Sequence, residues 1–289
     1  MYKAFFDREP DAAGKEYWIG KLKDKATRGF IFDGFTGSVE FRRLCKKYGI
    51  ITGTEKYASI DYKQTEGCSI CGVKEGKGVK VAIDPGHTGN HARMTEREPN
   101  GPGSPIMGYR DAAGATGAFT GIPEYQLTMD ISLMLKAELE SRGYEVFLTR
   151  EDNNAVISCM ERALAWNASG ADFAIRIHAD SIDNPSPHGA CMLTSSKNNQ
   201  WIGHLYQDSH DLAEMVLRNY CETAGFYNRG FFEYDTLNGN NWSTIPVCLI
   251  EMGFMTNYSD DTRMADPEVR KLMVKGMADG IDEYVESRK

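Results

Sequence analysis

Two of the six histidines in this 289-residue chain, His87 and His178, stand where apolar runs end. His87 follows Val79-Lys80-Val81-Ala82-Ile83 through an Asp84-Pro85-Gly86 turn. His178 closes Phe173-Ala174-Ile175-Arg176-Ile177. Two glutamates have similar settings. Glu124 opens a stretch with Leu127, Ile131, Leu135 and Leu139, and Glu251 follows Pro246-Val247-Cys248-Leu249-Ile250. Two imidazoles and a carboxylate form the ligand set of a catalytic zinc, which keeps a fourth position for water. A further glutamate beside them supplies the general base for hydrolysis. Taken singly, each has a plainer reading. A strand-end histidine is often only hydrogen-bonded, and a glutamate at a helix start is favoured by the helix dipole. Glu251 is harder to dismiss, because an unpaired carboxylate after an apolar strand is costly to bury.

These residues need elements that bring them together. Val79–Ile83, Tyr144–Leu148, Phe173–Ile177, Gly189–Thr194 and Pro246–Met252 read as strands. Residues 124–142, Ile157–Ala168, Leu205–Thr223 and Pro267–Tyr284 carry helical periodicity. Alternation of this kind predicts an α/β fold: a mostly parallel sheet flanked by helices on both faces. In open sheets of this class, sites gather at the carboxyl ends of strands. His87, His178 and Glu251 therefore share one rim. Residues 88–123 are rich in Gly, Pro, Ala and Thr and read as a long loop that delivers Glu124 to the same rim.

Composition narrows the class. With 41% hydrophobic and 26% charged residues, the chain can bury a core and is not a disordered polymer. No run approaches the ~18 apolar residues of a transmembrane helix. A pI near 5.4 disfavours nucleic acid as a partner. Residues 1–50 carry 11 Lys+Arg and 7 Asp+Glu, a net +4, against a net of -8 for the whole chain. That asymmetry suggests two units. The opening Met1-Tyr2-Lys3-Ala4-Phe5-Phe6-Asp7 becomes charged too early for a signal peptide. The expectation is either a cytoplasmic protein or a fragment whose export signal lay upstream.

The organisation expected is a small all-helical N-terminal unit over 1–50, a linker over 51–78 and a catalytic domain over 79–289. Tyr17-Trp18, Gly34-Phe35, Ser38-Val39-Glu40-Phe41 and Tyr48-Gly49-Ile50 resemble a short helical repeat of some large bacterial surface proteins. The plain alternative is an inactive helical cap. The linker holds Cys68-Ser69-Ile70-Cys71, which lacks the further ligands of a structural zinc site. A local disulfide and a pair of idle thiols both remain open.

From Val81 onward the motifs converge on one family. Val81-Ala82-Ile83-Asp84-Pro85-Gly86-His87 resembles the opening motif of the zinc-dependent N-acetylmuramoyl-L-alanine amidases. Glu124-Tyr125-Gln126-Leu127, then Glu161-Arg162-Ala163 with Ile177-His178-Ala179-Asp180, then Ile250-Glu251-Met252-Gly253-Phe254 resemble its later blocks, in order. The resemblance spans about residues 79–287 and implies a peptidoglycan hydrolase. It implies Zn2+ on His87, Glu124 and His178, with Glu251 as the catalytic glutamate. It also implies export to the cell surface. Asp180 departs from the family, which commonly has Asn there.

Other residues are softer candidates. Glu233, Asn241 and Trp242 lie in a polar, aromatic stretch before the Glu251 strand and are candidate substrate contacts. Trp242 either stacks on a sugar or peptide face or packs in its loop. Asp84 and Asp180 are candidate partners for the histidine rings. The basic 1–50 unit is a candidate contact for wall polymers or surface proteins. Two alternatives stand beside the amidase reading: a wall-binding protein with a degenerate site, and a zinc hydrolase of another amide.

Overall fold

Short apolar runs punctuated by Gly, Pro and Asp become the strands of one six-stranded sheet in the computed structural model. The described residues are 76–289, with two isolated helical positions, Lys15 and Ile19. Apart from those two positions and 76–78, the helical unit of 1–50 and the linker of 51–78, with Cys68 and Cys71, lie outside the described residues. The chain divides into two units, Met1–Cys71 and Gly72–Lys289. The second holds every element below.

The strands are β1 (Lys80–Pro85), β4 (Glu145–Leu148), β5 (Phe173–Asp180), β6 (Ala190–Thr194), β7 (Asn228–Glu233) and β8 (Val247–Phe254), in the order β4-β1-β5-β8-β6-β7. Strands β4, β1, β5 and β8 run parallel. Strand β6 is antiparallel to β8 and parallel to β7. The edge strand β7 is unexpected. Its sequence, Asn-Arg-Gly-Phe-Phe-Glu, is half-buried to exposed throughout and so has no clean apolar run.

Successive strand residues point to opposite faces. Val81, Ile83, Ile175, Ile177, Cys248 and Ile250 form one face. They pack beneath α1 (Glu124–Ser141), α3 (Tyr206–Ala224) and α6 (Pro267–Glu286). Ala82, Ala174 and Val247 form the other, against Ala163 and Trp166 of α2 (Cys159–Ala168). Helix α2 starts at a reciprocal cap: Ser158 Oγ accepts the Glu161 N–H, and Glu161 accepts the Ser158 N–H. Further along this second face, the alternation reaches Asp84, Arg176, His178 and Glu251. The site therefore lies on the face covered by a single long helix.

The 88–123 segment carries more structure than its composition suggests. It contains a hairpin of β2 (Arg97–Pro99) and β3 (Met107–Tyr109). Strands of three residues are too short to leave a periodic signal. Trp242 Nε1 donates to the Pro99 carbonyl at 2.9 Å, and Asn241 Nδ2 to that of Asn100 at 2.8 Å. Both belong to α4 (Asn238–Asn241) and its end. Helix α5 (Tyr258–Ala265) is a further element without a clear sequence period; its Asp261 carboxylate accepts the N–H groups of Phe119 and Thr120 at 2.8 and 2.9 Å. The loop is thus pinned along its course and near its end.

Candidate metal centre and active site

The Asp84-Pro85-Gly86 turn leaves β1 and delivers His87 in the left-handed region, at φ 55°. That conformation is strained for a residue with a side chain. Buried arginines hold it. Arg150 donates to the Pro85 and Gly86 carbonyls, each at 3.0 Å, and Arg162 to the His87 carbonyl at 2.9 Å. Glu124 is the first residue of α1, and His178 lies within β5.

The three side chains meet at one point. His87 Nε2 lies 3.2 Å from Glu124 Oε1 and 3.2 Å from His178 Nδ1. His178 Nδ1 lies 3.2 Å from Glu124 Oε1. Tetrahedral ligands about 2.05 Å from a zinc ion stand roughly 3.3 Å apart, so this triangle has the right edge. The donor set, two imidazoles and one carboxylate, also fits such an ion.

Neighbouring groups constrain these side chains. His87 Nδ1 faces the Ala112 carbonyl at 3.0 Å and Asp111 Oδ1 at 3.5 Å, which turns Nε2 toward the cluster. Glu124 accepts the Ala115 and Ala179 N–H groups at 2.8 and 3.1 Å. A Cβ on Gly86 would stand 2.5 Å from the His178 ring, so only glycine lets that ring lie flat on the turn. A Cβ on Gly114 would press on both His87 and Glu124, at 3.0 and 3.1 Å.

The electrostatics favour positive charge at the centre of the triangle. Burial disfavours the His87 cation, but hydrogen bonds to Asp111 and Glu124 outweigh it and push its pKa up to about 10. Burial holds His178 down at about 4. Burial would raise Glu124, yet bonds from His178 and His87 keep it well below the usual carboxylate range. Glu251 is raised well above that range by burial and by the charges of Glu124 and Asp180. Its Oε2 is buried without a hydrogen-bond partner. Glu251 and His178 are register partners on β8 and β5. Together they line a groove of about 430 Å³ with His87, Tyr109, Asp111 and Asn238.

The softer candidates fall elsewhere. Asn241 is buried and Trp242 packs beside α2; both spend their polar groups on the β2–β3 hairpin. Glu233 is exposed at the end of β7. None of the three lines the groove, whereas Asn238 and Tyr109 do. Asp84 does not touch a histidine ring. It takes Arg162 at 3.2 Å, Arg176 at 3.0 Å and Thr149 Oγ1 at 2.5 Å. Asp180 pairs with Arg229 at 3.4 Å. The ring partner is Asp111, which lies in a segment without periodicity and carries no sequence signal.

Residues 81–283 match the family described as N-acetylmuramoyl-L-alanine amidase. The chain belongs to that family. Its reaction is hydrolysis of the amide between N-acetylmuramic acid and L-alanine in peptidoglycan. The amidase is 28% identical over 215 residues to the N-acetylmuramoyl-L-alanine amidase Rv3717 of Mycobacterium tuberculosis, covering 71% of this chain and 85% of that protein. It is 25% identical to LytC of Bacillus subtilis, over 72% of this chain and 36% of that one. Among solved structures, it resembles the amidase Ami1 of Mycobacterium smegmatis. There the TM-score is 0.66 and the identity 26%, over 74% of this chain and 99% of that one. Ami1 of Mycobacterium abscessus, in its apo form, gives 0.65 and 27%, over 72% and 99%. Residues 1–45 of the amidase match a family described only as a domain of unknown function.

Proposed function

We propose that this amidase is zinc-dependent, with His87 Nε2, His178 Nδ1 and Glu124 Oε1 as ligands and Glu251 as general base. The three mutual distances of 3.2 Å carry the reading. Zinc bound there would polarise the scissile carbonyl and acidify the attacking water. Positive charge at the triangle favours the ionised form of Glu251. Its unpartnered Oε2 then accepts the water proton and returns it to the leaving nitrogen of L-alanine. His87, held by Asp111 and the Ala112 carbonyl, keeps its ring aimed without a searching motion. The hairpin builds one wall of the groove through Tyr109.

Peptidoglycan lies outside the cell membrane, so the working protein is placed at the cell surface or beyond it. No helix among the described residues is long and apolar enough to cross a membrane. The net positive charge of residues 1–50 supports a contact with anionic wall polymers.

Metal content and release of new N-terminal L-alanine from purified peptidoglycan test the reading together. The expected result is one zinc per chain and release by the wild type, with release lost in Glu251→Ala. A metal-free protein, or an active Glu251→Ala variant, would contradict it.

A further inference from the structure

Past Glu251 the groove gives way to a smaller recess of about 130 Å³, walled by Asp180, Arg229, Phe232, Tyr234 and Glu251. Glu251 and Leu193 line both cavities, so the recess begins beside the reacting centre. Two charged groups face each other inside it. Arg229 Nη1 stands 3.4 Å from Asp180 Oδ2, with the side chains 25% and 31% exposed. The guanidinium carbon lies 4.5 Å from the Phe254 ring centre and 5.3 Å from that of Phe232, which hold it from two sides. The other cations of the groove are different: Arg162 and Arg176 are buried and spent on Asp84. Among the described residues, no second carboxylate pairs with Arg229.

The Arg229–Asp180 pair is neutral overall and offers hydrogen-bond donors beside an acceptor. A carboxylate ligand would bond Arg229 but meet Asp180 as a like charge. A primary carboxamide satisfies both, because its oxygen accepts from the guanidinium and its NH2 donates to the carboxylate. Peptidoglycan stems present either group, a free α-carboxylate or its amide, on the residue after L-alanine. In extended chain that group lies about 7 Å from the scissile bond. The recess adjoins the reacting centre, since Glu251 lines both cavities. We propose that Arg229 and Asp180 form a carboxamide subsite that makes this enzyme prefer amidated over free-acid stem peptides.

The inference rests on the amidase reading of the same centre, and it turns on Asp180. An asparagine at this position would leave the Arg229 charge uncompensated and favour the carboxylate.

The test uses the zinc-loaded full chain and two substrates, N-acetylmuramoyl-L-alanyl-D-isoglutamine and N-acetylmuramoyl-L-alanyl-D-glutamate. Binding of the two dipeptide products is measured by calorimetry alongside cleavage. The wild type is expected to favour the amide roughly tenfold in kcat/KM and in product affinity, the size of one charge-assisted hydrogen bond. Asp180→Asn reverses the order, and Arg229→Gln weakens both ligands, at unchanged zinc stoichiometry. Should Arg229→Gln fail to fold, the near-isosteric Asp180→Asn carries the test alone. Cleavage of both substrates within about twofold of each other by the wild type would overturn the subsite and leave the amidase reading standing. So would a ratio that Asp180→Asn does not move. Product binding with the expected ratio but no cleavage would uphold the subsite and reject the amidase reading. Neither cleavage nor a binding preference would reject both.

Discussion

His178 and Glu251 occupy directly paired positions on the adjacent parallel strands β5 and β8. Their side chains rise from the same face of the sheet into one groove. A proposed metal ligand and the proposed base thus share a rigid backbone ladder, which fixes their separation without any loop. Glu251→Gln keeps the shape of the side chain and removes its basicity. Zinc binding should persist while kcat falls about 10²–10⁴-fold. Metal analysis and a muramyl-peptide release assay on the same preparation check both halves.

Asp111 orients His87 from the 88–123 segment, with Nδ1 at 3.5 Å. Asp111→Asn should weaken zinc affinity by about 10–100-fold. Titration of the metal-free protein against a chelating dye measures this independently of turnover.

Gly86 lies beneath the His178 ring, and a Cβ there would approach it to 2.5 Å. Gly86→Ala should displace the ring and abolish zinc binding. The melting temperature of the metal-free protein should change far less than that of the zinc-loaded form. Calorimetric scans with and without zinc would show it, and an undiminished zinc-induced rise would refute it.

Asp84 is buried between Arg162 and Arg176. Burial alone would raise its pKa, but the two guanidinium charges and the Thr149 hydroxyl hold it well below its ordinary 3.8. Its stabilising contribution is therefore complete above about pH 4 and drains away as pH falls below that value. Asp84→Asn leaves two buried cations without their anion and should cost about 3–5 kcal/mol at neutral pH. It should also flatten the acid side of the stability curve. Urea unfolding of the metal-free protein between pH 3 and pH 7 separates the two effects.

Asn241 spends its amide on the Asn100 and Asp235 carbonyls, at 2.8 and 2.9 Å, beneath the hairpin that walls the groove. Asn241→Ala strands those carbonyls and should cost about 1–3 kcal/mol. Because the hairpin carries Tyr109 into the groove, KM should rise more than kcat falls. Steady-state kinetics with a soluble muramyl peptide would reveal the split.

His87, Glu124, His178 and Glu251 were legible from the sequence as candidates, and so was the parallel sheet that holds His178 and Glu251. The apolar runs before His178 and Glu251 point to both residues, which the structure places inside β5 and β8 rather than at their ends, paired in register on one face. The helices were legible for the same reason, because Leu127, Ile131, Leu135 and Leu139 repeat with the period of one buried face. What lacked a period was not legible. The hairpin strands β2 and β3 are three residues each, and β7 is an exposed edge.

Tertiary structure alone decided which carboxylate serves which partner. Asp84 and Asp180 sit close in sequence to the histidines, yet the fold turns them toward Arg162, Arg176 and Arg229. It brings Asp111 to His87 instead. Trp242 and Asn241 have chemistry that suits a substrate, but they bond the hairpin backbone. Side-chain type states what a residue can bond; only the packing of distant segments fixes which partner comes within reach.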